Sequence, residues 1–196
     1  MVIGVEHLQD LQRWAPAYHN PMLMLGAQKL VFQGYDRGEC AKWFADTFGI
    51  NDYTTLDLDG GALRLDLNDD LHELSEKYAT VVNYGTVEHC WNIHVAFCNV
   101  LRAVKVGGDF LSHGPAGGWV DVNGRMDHGV HVTLPNALMA FVEKNGFEVQ
   151  DQWFTQFRAR GQIFWLRARK VAHIDRLVDF KLPLQAYVAG KRPERL

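Results

Sequence analysis

Five of the nine histidines, His89, His94, His113, His128 and His131, fall between positions 89 and 131. An imidazole changes charge near neutral pH and is the usual general base. His113, just after the apolar run Asp109 to Ser112, and His128, in a glycine-rich stretch, are the leading candidates to take a proton from a reacting group. His89 beside Glu88 is the third; hydrogen bonds that order a helix start are the alternative use of this pair, and His94 reads as structural. A second set is acidic: Asp57, Asp59 and Asp66 each follow or end an apolar run. An ionised carboxylate is acceptor-only and can hold both hydroxyls of a diol in one bidentate contact. An Asp before Gly60-Gly61 suits a tight turn equally well. His128-Gly129-Val130-His131 spaces two metal-ligand types three apart, but zinc needs one or two more convergent ligands. No metal site is expected. Cys40, Cys90 and Cys98 are odd in number and not closely spaced, which predicts reduced thiols.

Short apolar runs alternate with helical patterns from Pro21 to Val171, the pattern of a mostly parallel sheet with helices on both faces. The class is α/β. Strands are predicted over Met22 to Leu25, Tyr53 to Leu58, Ala62 to Leu67, Ala79 to Asn83 and Asp109 to Ser112. Phe147 to Phe154 and Gln162 to Val171 complete seven, joined as an antiparallel hairpin around Gly161. Helices are predicted over Glu39 to Phe48, stopped by Gly49, and from Pro135 to Asn145-Gly146. Between them, Val87, Trp91, Val95, Cys98, Leu101 and Val104 recur at spacings of three and four, one stripe against the sheet, with Gly107-Gly108 as the stop. The loop from His113 to Gly129 is long for a compact domain and reads as functional.

The chain has 196 residues, 47% hydrophobic and 22% charged, enough for one core and far from the composition of disordered chains. The domain is placed at 21–171, with a helical N-terminal extension over 1–20 and a C-terminal helix and polar tail over 172–196. The longest apolar runs, such as Met22-Leu23-Met24-Leu25, fall well short of the roughly 20 residues a bilayer span takes, so no membrane partner is expected. Met1 to Trp14 carry Glu6, Asp10 and Arg13 and lack the pattern of a signal peptide, from which a cytoplasmic location is expected. Net charge is -3, which argues against a polyanion binder as a whole. The charge is uneven, however. Residues 51–88 are acidic, whereas Arg158, Arg160, Arg167 and Arg169 alternate with Phe157, Phe164 and Trp165 near the end. That mixture can hold RNA, but strand alternation alone puts arginines on a solvated face, and nucleic acid is not the expected partner. Pairing of the basic end with the acidic half of another copy suggests a homodimer.

Two stretches carry a resemblance. Asn83-Tyr84-Gly85-Thr86-Val87-Glu88-His89, followed by Leu101-Arg102-Ala103-Val104-Lys105-Val106-Gly107-Gly108-Asp109-Phe110-Leu111, resembles the fourth strand, Glu-His helix start and Gly-Gly turn of the class I S-adenosylmethionine (SAM) dependent methyltransferases. Asp127-His128-Gly129, Pro135 and Asn145-Gly146-Phe147 are similar to the later part of one subgroup. The resemblance spans Pro21 to Lys170 and implies a Rossmann-like sheet with SAM as cofactor. It departs at the first motif: an acid followed by Gly-x-Gly-x-Gly is here Met24-Leu25-Gly26-Ala27-Gln28-Lys29-Leu30, with a single glycine.

What the resemblance implies for single residues follows from their positions. Gly26, Ala27 and Gln28 make the first turn beside the cofactor. Asp57, with Leu58, takes the ribose hydroxyls, Asp59 being the second choice. Asp66 accepts from the adenine amino group while Leu67 covers the ring. Asn83, Tyr84 and Gly85 lie by the sulfonium and the methionine end, Asn83 facing the methyl group. The acceptor would lie among His89, His113 and His128, with Trp119 or Trp91 stacking on it. The implied activity is O- or N-methylation of a small molecule, for example a sugar or natural-product intermediate. Alternatives are a catalytically inactive methyltransferase-like binding subunit, an RNA methyltransferase and, lacking Gly-x-Gly-x-x-Gly, a nicotinamide oxidoreductase last. Gln28 or Phe32 blocking the space beyond Gly26 would favour the inactive subunit; an open slot beside Asp57 would favour the enzyme.

Overall fold

The computed structural model describes residues 2–31, 40–116, 134–157 and 161–174. Its main sheet has seven strands: β2 (Met22–Leu25), β4 (Tyr53–Asp57), β5 (Leu63–Arg64), β6 (Tyr78–Tyr84), β7 (Val104–Pro115), β8 (Phe147–Phe157) and β9 (Gly161–Lys170). Their order is β5-β4-β2-β6-β7-β9-β8. The first five run parallel, and β9 is antiparallel to both β7 and β8. A separate parallel pair joins β1 (Val2–Gly4) to β3 (Lys29–Val31).

Alternation within the strands builds two cores. Leu23 and Leu25 of β2 point to one face with Val81 and Phe110, while Met22 and Met24 point to the other with Val82 and Leu111. The first core is covered by α3 (Ile93–Ala103) and α4 (Pro135–Lys144), through Phe97, Leu101, Leu138 and Phe141. The second is covered by α1 (Leu8–Arg13) and α2 (Cys40–Phe48), through Leu11, Trp43 and Phe44. Because both faces are packed, β2 reads as an unbroken apolar run instead of alternating.

The α/β class, the seven strands and the closing antiparallel hairpin agree with the sequence reading. The helix after β6 does not. Val87–His89 is a single 3-10 turn, and α3 starts only at Ile93, where the Asn92 side chain accepts from Val95 N–H at 3.3 Å. Trp91 therefore leaves the buried stripe and is 57% exposed. Val104, read as the stripe's last residue, instead opens β7. Gly107-Gly108 lies inside β7 at a bulge: Tyr78 pairs with Val104 but Thr80 with Asp109. A Cβ on Gly108 would stand 2.6 Å from the Ala79 carbonyl oxygen, so the glycine is needed for close approach and not as a helix stop.

Candidate functional site

In an open α/β sheet, ligands bind beyond the C-terminal strand ends where the strand order reverses, here between β2 and β6. A cleft of about 340 Å³ opens beside this point, at the ends of β4 and β5 and the turn after β6. It is lined by Asp57 and Leu58 after β4, by Asp66 and Leu67 after β5, and by Thr86, His89, Cys90 and Trp91 after β6.

Asp57 is half-buried and fixed from two sides. Its Oδ2 accepts from Ala27 N–H at 2.6 Å and its Oδ1 from Asp59 N–H at 3.2 Å. Burial raises its pKa, but the backbone N–H groups of Ala27, Asp59 and Leu58 outweigh this and hold the carboxyl below its ordinary value. It is thus a charged acceptor. Asp66 Oδ1 takes both the backbone N–H and the side-chain amide of Asn68, at 2.8 and 2.7 Å, leaving Oδ2 for another donor. Leu67 is buried beneath, while Leu58 (59% exposed) and Trp91 (57%) present large apolar surfaces. Two carboxylates between apolar side chains suit a flat, hydroxyl-bearing ligand. The Cys90 thiol is pushed up to about 12, chiefly by burial, with the nearby acids adding to it, and stays protonated.

The first turn is compact. Gly26 has φ +77°, and a Cβ there would lie 2.6 Å from Gln28 Nε2 and 2.7 Å from Thr86 Oγ1. Gly26→Ala is accordingly expected to destabilise the protein by about 2 kcal/mol, from the left-handed backbone and the clash together; chemical denaturation measures it. The Gln28 side chain is buried across the strand ends, its Nε2 donating to Leu25 O at 3.0 Å, Tyr84 O at 3.2 Å and Thr86 Oγ1 at 3.3 Å.

The remaining sequence candidates separate. Asn83 is buried with its amide engaged: Oδ1 accepts from Thr86 and Val87 N–H at 3.1 and 3.0 Å, and Nδ2 donates to Ser112 Oγ at 3.1 Å. It caps the turn that carries His89. Gly85 has φ +69° and donates its N–H to His113 O at 2.9 Å. Tyr84 and His113 stack, with ring centroids 4.2 Å apart, and pack with His7 and Trp165 in the second core. That is the sheet face opposite Leu56, Leu67 and Cys90 of the cleft. Of the three proposed bases, His89 lines the cleft and is exposed, His113 is only 5% exposed, and His128 lies outside the described residues, as do Phe32, Trp119 and His131.

The arginines of β9 are also accounted for. Arg167 Nε and Arg169 Nη2 both donate to Asp109 of β7, at 3.0 and 2.8 Å, and Asp109 is fully buried. Arg158 and Arg160 lie outside the described residues. The sequence reading offered a solvated face or, less favoured, an RNA-binding stripe for these arginines and missed the clamp; the buried Asp109 across the sheet is what pairs Arg167 and Arg169.

No protein-family model matches the sequence, and no curated protein matches it. Solved structures do match by shape. A SAM-dependent methyltransferase from Mesorhizobium loti superposes with TM-score 0.58 at 17% identity, over 83% of this chain and 97% of that one. One from Archaeoglobus fulgidus gives 0.56 at 14%, over 83% and 92%. The Burkholderia thailandensis 1,6-didemethyltoxoflavin-N1-methyltransferase, solved with 1,6-didemethyltoxoflavin and S-adenosylhomocysteine, gives 0.52 at 11%, over 77% and 71%. With the strand order, these likenesses establish that the chain has the class I SAM-dependent methyltransferase fold. No helix among the described residues is long and apolar enough to cross a membrane.

Proposed function

We propose that the chain is a SAM-dependent methyltransferase whose acceptor is a hydroxyl or amine of a small molecule such as a sugar or natural-product intermediate. The observation that carries this reading is the open cleft in which the fixed, charged Asp57 stands beside Asp66, Leu67 and Trp91. Asp57 is the residue to hold a ribose diol, Asp66 Oδ2 to accept from an adenine amino group, and Leu58 and Trp91 to cover the base. SAM, when bound, supplies a methyl group already activated by its positive sulfur, so the protein's part is alignment of the acceptor. His89, exposed at the cleft wall, is the residue placed to take the acceptor's proton. The engagement of Arg167 and Arg169 by Asp109 favours a small acceptor over RNA. The catalytic domain in this reading is residues 21–171, with 1–20 and 172–196 as extensions.

Calorimetry with SAM and S-adenosylhomocysteine tests the proposal; no heat and no thermal shift at millimolar ligand would sink it. Asp57→Ala is expected to weaken S-adenosylhomocysteine binding by about 5- to 150-fold, the equivalent of 1–3 kcal/mol for a hydrogen bond to a charged group. Asp57→Asn, which keeps an acceptor for Ala27 N–H, separates loss of the ligand contact from loss of the turn. One observation favours a second reading, a catalytically inactive subunit that binds a nucleoside: Gln28 and Thr86 fill the space between the ends of β2 and β6. Under that reading the protein binds adenosine-type ligands but transfers no methyl group.

A further inference from the structure

We infer that Gln28 sits in the seat of a ligand's primary ammonium group and competes with that group for it. The inference rests on the SAM reading above, since SAM and its demethylated product carry such an amine.

Three acceptors converge on one nitrogen. The carbonyls of Leu25 and Tyr84 end the adjacent parallel strands β2 and β6, and with Thr86 Oγ1 they surround Gln28 Nε2 at 3.0, 3.2 and 3.3 Å. The Thr86 hydroxyl spends its own proton on Leu25 O at 2.9 Å, so toward Gln28 its oxygen is an acceptor. An amide nitrogen has two protons for these three partners. Turning the amide over would set Oε1 against the same three oxygens, which fixes the orientation. It also leaves Oε1 buried without a hydrogen-bond partner, in a residue that is 2% exposed. A buried carbonyl in that state is a standing cost.

A primary ammonium has three N–H donors and a positive charge and matches three converging acceptors better than the resident amide. Thr86 lines the cleft, so the seat adjoins the space a ligand would fill. Arrival of the amine displaces the Gln28 side chain and returns both ends of its amide to water. A nucleoside with no amine leaves Gln28 where it is. The residue therefore sets how strongly the amino-acid end of a cofactor adds to the binding of its nucleoside end.

Titration calorimetry of the full chain, wild type and Gln28→Ala, with S-adenosylhomocysteine and 5′-methylthioadenosine tests this, because the second ligand lacks the amino-acid end. Gln28→Ala is expected to bind S-adenosylhomocysteine about tenfold more tightly, the equivalent of one hydrogen-bonded competitor removed, and 5′-methylthioadenosine within about twofold of wild type. Unchanged or weaker S-adenosylhomocysteine binding, or an equal change for both ligands, overturns the inference. If the variant does not fold, the wild-type side-chain amide NMR signals of Gln28 decide: they shift with S-adenosylhomocysteine and not with 5′-methylthioadenosine, and signals unmoved by the former overturn it. Wild type that binds neither ligand refutes the SAM reading and this inference with it. Binding of 5′-methylthioadenosine alone, by wild type and variant, refutes the inference and leaves the nucleoside cleft standing.

Discussion

Raising the pH from 5 to 9 is expected to destabilise the wild-type protein markedly relative to Glu88→Gln. Glu88 is only 2% exposed, on the turn between β6 and α3, and burial pushes its carboxyl from an ordinary 4.5 up to about 8, with its own backbone N–H opposing only in part. The folded state thus holds a proton that the unfolded chain releases. Below pH 4.5 both states are protonated and Glu88 has no pH-dependent cost. Between 4.5 and 8 the folded state binds more protons than the unfolded one, so stability falls as pH rises, and above 8 the full cost of a buried charge applies. A rise from 4.5 to about 8, at about 1.4 kcal/mol per pH unit, sets a ceiling of about 5 kcal/mol. The glutamine variant lacks this titration. Urea denaturation of both proteins at pH 5, 7 and 9 should give midpoints that diverge steadily in favour of the variant; parallel midpoints would mean that Glu88 is ionised in the folded state without cost.

Asp109→Ala is expected to remove about 3 kcal/mol of stability. The carboxylate is fully buried, and Arg167 and Arg169 reach it from alternate positions on β9 at 3.0 and 2.8 Å, with His19 Nε2 at 4.0 Å. Removing the acid leaves two guanidinium groups facing one another with no counter-charge. Breaking a buried pair costs about 3–5 kcal/mol, and the low end applies here because the arginine side chains remain 19% and 38% exposed and keep some water. Asp109→Asn, which keeps one acceptor, should lose less. Because the carboxylate is shielded from solvent, the loss should change little between low and high salt. A loss below 1 kcal/mol in denaturant titration would show that the cluster holds β7 and β9 together only weakly.

How far the sequence could be read depended on whether the signal was local. The four residues of β2 were legible exactly, because an unbroken apolar run ending at a glycine needs no partner to be recognised. The helix over Cys40–Phe48 was legible for the same reason, its aromatic face and glycine stop lying close together. The boundaries of β4 and β5 were overestimated, since apolar residues run on past the last ladder pairs. The start of α3 was misplaced because the cap at Asn92 depends on a second contact: its N–H donates to Asn68 Oδ1 at 2.8 Å, 24 positions away. Periodicity at three and four continued through residues 87–92, where only a single 3-10 turn forms and no α-helix supports it.

The same division holds for the candidate site. Asp57, Leu58, Asp66, Leu67 and His89 were chosen from strand ends and motif resemblance, and they line one cleft. Asn83 and His113 were chosen on the same grounds, yet one caps a turn and the other is packed on the far face of the sheet, because their side-chain directions follow from the pleat and the cross-strand partners.

By itself the sequence determined the α/β class, the seven strands of the main sheet and their closing hairpin, since apolar run length, turn residues and glycine stops act over a few positions; it missed the parallel pair β1-β3. Only the tertiary structure decided which acids and histidines share a cleft, that two arginines clamp a buried aspartate, and that Gln28 fills the gap between β2 and β6. Each of those depends on groups tens of residues apart meeting in space, and no local pattern encodes that distance.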